Sequence, residues 1–437
     1  MESIANFIFY STPIKYLAQS IWRDEGFSFF MAKENIMQII LNSINDFNPP
    51  LYYILLHIWM SVFGEIDIAL RMMSFIFHVL TTYYVFLLAR KIFWEKFAFW
   101  VAAFTFFNPM LLYYAFEIRM YSLFALFTIA SLYYFLAKRW RAYAIFGTLG
   151  MYTHSFFSFI IFSYLVFLFL ARQFQRKIIL RTILPLLFFL PWVPFLLFQF
   201  KESQNTWIFT VDLQLILSSL GNLFINYEGT PGGLWLVTAF LSLIIVILIF
   251  YAIRKSRKLG LLFTSLVFTP LFIVLSYSVI KRPIYVNRYM IFVTVGEIMA
   301  ISLALWSIKL RTTRYGVMLL ALGFVLYMNV FAPKKIHNKV DIRSTIAEIR
   351  EMAKPNDLVY ANSALVYFES AFYYPYRDKV YIYNPENAVI PKYIGTSVID
   401  PSRSVANFPE SPIRTFLVKE DGSYEVIISL PTSGKAQ

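Results

Sequence analysis

The chain has 437 residues, of which 59% are hydrophobic, 20% aromatic and only 15% charged, too apolar for a soluble protein and too aromatic for a disordered one. Cys is absent and only four His occur (His57, His78, His154 and His337), which excludes disulfides, Cys-ligated metals and thiol nucleophiles and leaves no HxxxH or HExxH pair. The net charge of +14 would suit nucleic acid, but the basic residues fall in short turns between apolar runs, which assigns them to a membrane surface and argues against a nucleic-acid partner.

A spanning helix needs about 20 apolar residues. At the N-terminus only residues 4 to 21 can supply one. Ser11, Thr12, Pro13 and Lys15 interrupt them, so a short or broken first helix is expected. The next apolar run, PPLYYILLHIWMSVFG at 49 to 64, is too short to cross upright. If it did cross, the Arg90, Lys91 and Lys96 turn would move to the outer side. It is therefore expected to lie along the outer interface, with Tyr52, Tyr53, His57 and Trp59 at headgroup level. Outer loop 21 to 67 then carries interfacial helices.

Further spans are expected at 68 to 89, 97 to 114, 118 to 137, 180 to 200, 233 to 253, 260 to 280, 287 to 308 and 315 to 332. The stretch 142 to 171 is flanked on both sides by basic clusters (Lys138, Arg139 and Arg141; Arg172, Arg176 and Lys177). The positive-inside rule puts both ends on the cytoplasmic side, so this stretch is expected to be a hairpin of two short spans turning near Tyr152, Thr153 and His154. With that choice, five inner turns hold 17 Lys/Arg and one acid, and the opposite segments hold seven Lys/Arg and ten Asp/Glu. About eleven crossings follow. They divide the chain into a membrane domain at 1 to 333 and a small soluble α/β domain at 334 to 437 on the outer face. The tail shows helical spacing at Ile342, Ile346, Ile349 and Met352. Strand-like runs follow at 358 to 360, 380 to 383, 414 to 418 and 424 to 428. It contains no GxGxxG or P-loop to bind a nucleotide.

On this topology the unusual polar residues face one outer cleft. Asp24 and Glu25 stand in WRDEGFS, either as plain solvated charges or, among apolar neighbours, as carboxyls whose pKa is raised towards the working range of a general base. Asn48 precedes Pro49 and Pro50. Glu117, Arg119 and Tyr121 form EIRMY, and Arg282, Arg288 and Tyr289 belong to KRPIYVNRY. Arg119 and Arg288 run against the charge bias of the turns, either as snorkelling or ion-paired side chains or as a clamp for a lipid phosphate, which a guanidinium binds through two parallel hydrogen bonds. His154 caps the short hairpin. Glu297 lies about 13 Å deeper than Arg288 at 1.5 Å per residue, and either bonds to a neighbouring helix or has a function. His78 is expected to be structural.

In order, SIWRDEGFSFFMA, NPPLYYILLHIWMSVFG, IALRMMSF, EIRMYSLFALF, MYTHSFF and NRYMIF resemble the glycosyltransferase family 39 and RgtA-like membrane glycosyltransferases, relatives of the protein O-mannosyltransferases and the aminoarabinose transferases. The resemblance covers residues 15 to about 310. It implies an all-α polytopic GT-C fold, an active site at the extracytoplasmic face of the cell membrane, and a sugar donor carried on polyprenyl phosphate. It also implies Asp24 as the base that takes the acceptor proton, Glu25 as its companion, and Arg119 and Arg288 as ligands of the lipid phosphate. Many relatives have His where this chain has Asn48. A mannosyltransferase-like, inverting transfer to a protein, lipid or glycan hydroxyl is implied, with a divalent cation left open. The rival readings are a lipid-linked sugar transporter or flippase and an O-antigen polymerase or ligase.

Overall fold

Apolar runs with helical continuity, punctuated by Pro, Asn and basic clusters, fold as helices, but not all as full spans: 118 to 137 gives the 16-residue helix Tyr121–Leu136, and 180 to 200 lies in a segment of several helical pieces. The computed structural model describes residues 4–202, 207–225 and 232–429. The N-terminal segment is broken at Thr12–Pro13 into helices Ile4–Ser11 and Ile14–Ala18. Among the described residues six helices are long and apolar enough to cross a bilayer: Asp67–Ile92, Arg176–Lys201, Trp235–Lys255, Arg257–Ile280, Asn287–Trp306 and Arg311–Lys335. A seventh crossing is available if the bent pair Glu95–Phe106 and Pro109–Ala115, which meet at 61°, is one span. The bend follows from Asn108–Pro109: Pro109 cannot continue the first helix, and the Asn108 side chain caps the second by accepting from the Leu111 N–H (3.1 Å).

The hairpin is present as helices Trp140–Thr153 and Phe157–Leu170, turning at His154. Each has 14 residues and so runs about 21 Å, short of a hydrocarbon core about 30 Å thick. Gly150 permits the tight return, because a Cβ there would sit 2.2 Å from the Phe157 ring. The basic turns end neighbouring helices by a left-handed residue, Lys138 and Arg172, both at φ 54°.

Two expectations need correction. Within 201 to 232, one of the segments counted opposite the basic turns and given no helix, Leu213–Ile225 is an apolar helix whose Gly221 lies against Thr238 of the following helix. Helix Leu51–Phe63 keeps an exposed apolar edge at Ile58, Val62 and Phe63. Tyr52 and Tyr53, however, are fully buried rather than at headgroup level, and the Tyr52 hydroxyl lies 3.1 Å from Ser74 Oγ.

The tail builds a five-stranded sheet from β1 (Leu358–Ala361), β2 (Val380–Tyr383), β3 (Ser404–Val405), β4 (Thr415–Val418) and β5 (Tyr424–Ile427), in the order β3-β2-β1-β4-β5. All pairs are parallel except β4–β5. Four strands match the expected runs. β3 has only two residues and carries no readable alternation. Helix Ile342–Met352 is capped by Asp341, and a second helix, Ala364–Tyr373, docks on the outer-loop helix Arg23–Lys33. Gly26 sets that approach: a Cβ there would meet Phe368 Cβ at 2.8 Å. The buried Glu369 accepts the Arg23 N–H at 3.0 Å, and burial raises its pKa to about 7 against the pull of Arg23.

Because the folded pKa of Glu369 exceeds the unfolded one, its cost is absent at low pH and grows as pH rises from the ordinary Glu range through about 7. Glu369→Gln is expected to stabilise the chain at pH 8 by up to about 3 kcal/mol and to be near neutral at pH 4, measured by thermal unfolding at both pH values.

Candidate active site

The helix Arg23–Lys33 begins where Trp22 leaves extended backbone, and Glu25 closes its first turn by accepting the Trp22 N–H at 2.9 Å. Glu25 is fully buried. Arg71, near the N-terminus of helix Asp67–Ile92, donates to it twice: Nε to Oε1 and Nη2 to Oε2, both at 2.8 Å. The same guanidinium bonds the carbonyls of Leu17, Gln19 and Ser20, tying the first segment to the outer loop. Lys339, just beyond the last long helix, donates to Glu25 at 2.8 Å and pairs with Glu117 at 3.2 Å. The Ile118 N–H adds a bond to Glu25 at 3.2 Å. Burial opposes ionisation of Glu25, but Arg71 and Lys339 outweigh it and hold the carboxyl down to about 2. Glu25 therefore positions its neighbours rather than facing the cleft.

Asp24 turns the other way. Its side chain is 35% accessible and lies 3.5 Å from Arg288 Nη2. Arg119 Nη1 donates to the Asp24 carbonyl and to Ser28 Oγ, each at 3.3 Å. Burial raises the Asp24 pKa, but Arg119, Arg288, Lys339 and Arg23 overcome it and hold the carboxyl below the usual range. This reverses the expected raised value. The apolar sequence neighbours Trp22, Gly26 and Phe27 do not set the local potential; cations brought from distant segments do.

A cavity of about 190 Å³ adjoins this cluster and gathers Asn48, His154, Arg282 and Tyr289, with Trp207 and Phe156 among its walls. Arg288 lies 4.9 Å from the Trp207 ring and 5.8 Å from the Tyr289 ring, and Arg119 lies 5.9 Å from the Tyr121 ring. The Tyr121 and Tyr289 rings stack at 6.4 Å. A continuous path of cations and aromatic faces thus joins Asp24 to the cavity. His154 stacks on Phe124, and its Nδ1 accepts the Phe156 N–H at 3.1 Å. Arg282 bonds the Phe200 carbonyl at 3.1 Å.

The remaining singled-out residues stand apart. His78 bonds the Phe106 carbonyl at 3.0 Å, as a structural histidine should. Glu297 is fully buried, and neither carboxyl oxygen has a hydrogen-bond partner among the described residues, so of its two readings the bond to a neighbouring helix is not made. No group of three or more His, Asp or Glu that could hold a metal ion occurs among the described residues.

Sequence reasoning missed Arg71, visible only as a single cation in IALRMMSF, and Lys339, one of several cations in PKKIHNKVDIR. It also missed Asp46. That buried carboxyl accepts from the Asn48 N–H (3.3 Å) and Nδ2 (3.4 Å), and burial raises its pKa despite those bonds and the charge of Arg119. Its signal was an acid two residues before Asn48-Pro49-Pro50.

The fold is that of the GT-C class, as the resemblance led one to expect, and residues 48–198 match the family model of dolichyl-phosphate-mannose-protein mannosyltransferases. Two solved structures share the fold over 95% of this chain and 91% of theirs: ArnT from Cupriavidus metallidurans in the apo state (TM-score 0.63, 14% identity), and ArnT from the same organism bound to undecaprenyl phosphate (TM-score 0.61, 12% identity). No curated protein matches the sequence.

Proposed function

We propose that this chain is a membrane glycosyltransferase that moves a sugar from a polyprenyl-phosphate-linked donor to an acceptor hydroxyl at the extracytoplasmic face, inverting the anomeric centre. The observation that carries the reading is Asp24: a partly open carboxylate beside the guanidinium groups of Arg119 and Arg288, at the edge of a cavity with aromatic walls. The structural match to a protein bound to undecaprenyl phosphate supports the donor class.

In this mechanism Asp24 takes the acceptor proton as the acceptor oxygen bonds to the anomeric carbon. The bond from that carbon to the phosphate oxygen breaks, and its electron pair leaves on the lipid phosphate. Arg119 and Arg288 neutralise that charge from fixed positions. Phosphate competes with Asp24 for Arg288, so donor binding loosens the resting pair and makes Asp24 more basic when the acceptor arrives. Tyr121 and Tyr289 offer ring faces to the sugar. Asn48, His154 and Arg282 shape the cavity, and Glu25 and Glu117 hold the loops in place. One observation favours a second reading with the same reaction: of the two aspartates beside Arg119, burial raises the pKa of Asp46 while cations lower that of Asp24, which would suit Asp46 to be the base.

Arg119→Ala is expected to raise the KM for a polyprenyl-phosphate sugar about 10- to 100-fold, the worth of a charge-assisted contact, with a smaller fall in kcat. Steady-state kinetics of the purified protein over a panel of such donors checks this. An unchanged KM would remove Arg119 from the phosphate site.

A further inference from the structure

A second cavity lies far from the cleft, at the basic end of the bundle. Its volume is about 760 Å³, and it opens between helix Trp140–Thr153 and the segment carrying Arg181 to Phe188. Trp140, Arg141 and Arg181 form one end, while Ile145, Leu149 and Phe188 line the other. Arg141 stands in the first turn of the helix that ends just before His154, 13 residues on, so this end is about 20 Å from the cleft side at 1.5 Å per residue.

Three features point to a ligand with an anionic head and an apolar chain. First, two guanidinium groups share the mouth, and no carboxylate lines it. The only acid between Glu95 and Glu202 is Glu117, which belongs to the Asp24 cluster at the opposite end. Neither Arg141 nor Arg181 has an ion-pair partner among the described residues, and Arg181 lies 5.5 Å from the Trp140 ring. Second, the apolar walls continue for about two turns below the arginines, and Ile145 and Phe188 are exposed. Third, Thr148 Oγ1 is buried in that wall with no hydrogen-bond partner among the described residues. A helical threonine ordinarily bonds a carbonyl of the preceding turn. A lipid ester carbonyl at this depth would accept a hydrogen bond from that hydroxyl.

The geometry points to a structural binding site for one anionic glycerophospholipid: its phosphate sits between Arg141 and Arg181, its glycerol esters reach Thr148, and an acyl chain lies along Ile145, Leu149 and Phe188. A headgroup offering only a net neutral zwitterion would leave the paired positive charges uncompensated. Trp140 sits where an indole marks the interface. Basic pockets between membrane helices hold lipid headgroups by this combination of charge and apolar groove. The site would brace the short hairpin, whose 14-residue helices leave a gap towards the basic side of the bilayer.

The test uses the purified full-length chain in detergent, titrated with phosphatidylglycerol or phosphatidylcholine of matched acyl chains, with bound lipid counted by native mass spectrometry. The wild-type chain should retain phosphatidylglycerol about tenfold better, the worth of one charge-assisted contact. Arg141→Gln with Arg181→Gln should abolish that preference. Thr148→Phe, which fills the groove without altering charge, should lower retention of phosphatidylglycerol. Equal retention of both lipids by the wild type would overturn the proposal without any variant. An unchanged preference in the double arginine variant would overturn it too, as would displacement of phosphatidylglycerol by a polyprenyl phosphate that loses affinity in Thr148→Phe.

Discussion

Asp24→Asn is expected to lower kcat for sugar transfer by about 10²- to 10⁴-fold, the usual worth of a positioned general base, with donor binding nearly unchanged. The amide keeps the shape of the side chain and can still face Arg288, but it cannot accept the acceptor's proton. The pH dependence separates this role from a purely structural one. In the free protein Arg119 and Arg288 outweigh burial and hold Asp24 ionised below the ordinary carboxylate range, so the acid limb of kcat/KM should lie below that range. Once phosphate engages Arg288, Asp24 loses part of that stabilisation. The acid limb of kcat should then lie at higher pH than that of kcat/KM, and both limbs should vanish in the residual activity of Asp24→Asn. If Asp46→Asn rather than Asp24→Asn removes the limb, the base is Asp46.

Arg71→Ala should destabilise the chain by about 3–5 kcal/mol, because it strands a buried charge. Glu25 would keep Lys339 but lose two bonds of 2.8 Å, and the carbonyls of Leu17, Gln19 and Ser20 would lose their donor. Arg71→Lys should rescue only part of the loss, since an ammonium cannot make the paired contact and reach three carbonyls at once. The pH sign follows from the depressed pKa of Glu25. Its contribution is complete above the ordinary Glu range and is lost as pH falls towards about 2. Thermal unfolding and limited proteolysis of the tail between pH 3 and 7 check both statements. The variant should also lose transfer activity, because Glu25 and Asp24 are consecutive on one helix turn and the displaced Glu25 takes Asp24 with it.

Much of the architecture was legible because bilayer physics leaves strong marks in sequence. Arg and Lys clusters on both sides of 142 to 171 demanded a hairpin, and His154 is where it turns. Thr12-Pro13 broke the first helix, and alternation in the tail gave four of five strands. Charge parity is silent about structure inside the segments it places: within 201 to 232, counted opposite the basic turns, it passed over Leu213–Ile225, a helix too short to register as a span. In the site, residue types out of place marked Asp24, Arg119 and Arg288, and they converge. What the sequence could not convey is which cation meets which acid. Lys339 lies 314 residues from Glu25, and no local pattern encodes that contact. The lowered pKa of Asp24 is illegible for the same reason, since it depends on Arg119 and Arg288, 95 and 264 positions away.

The most direct test of the central claim is the anomeric configuration of the product. Purified protein is incubated with anomerically defined polyprenyl-phosphate sugars and an acceptor, and the new glycosidic bond is read by NMR. Single displacement with Asp24 on one face and the arginine-bound phosphate on the other predicts inversion. A product with the donor's own configuration, or transfer from a nucleotide sugar alone, would contradict the account.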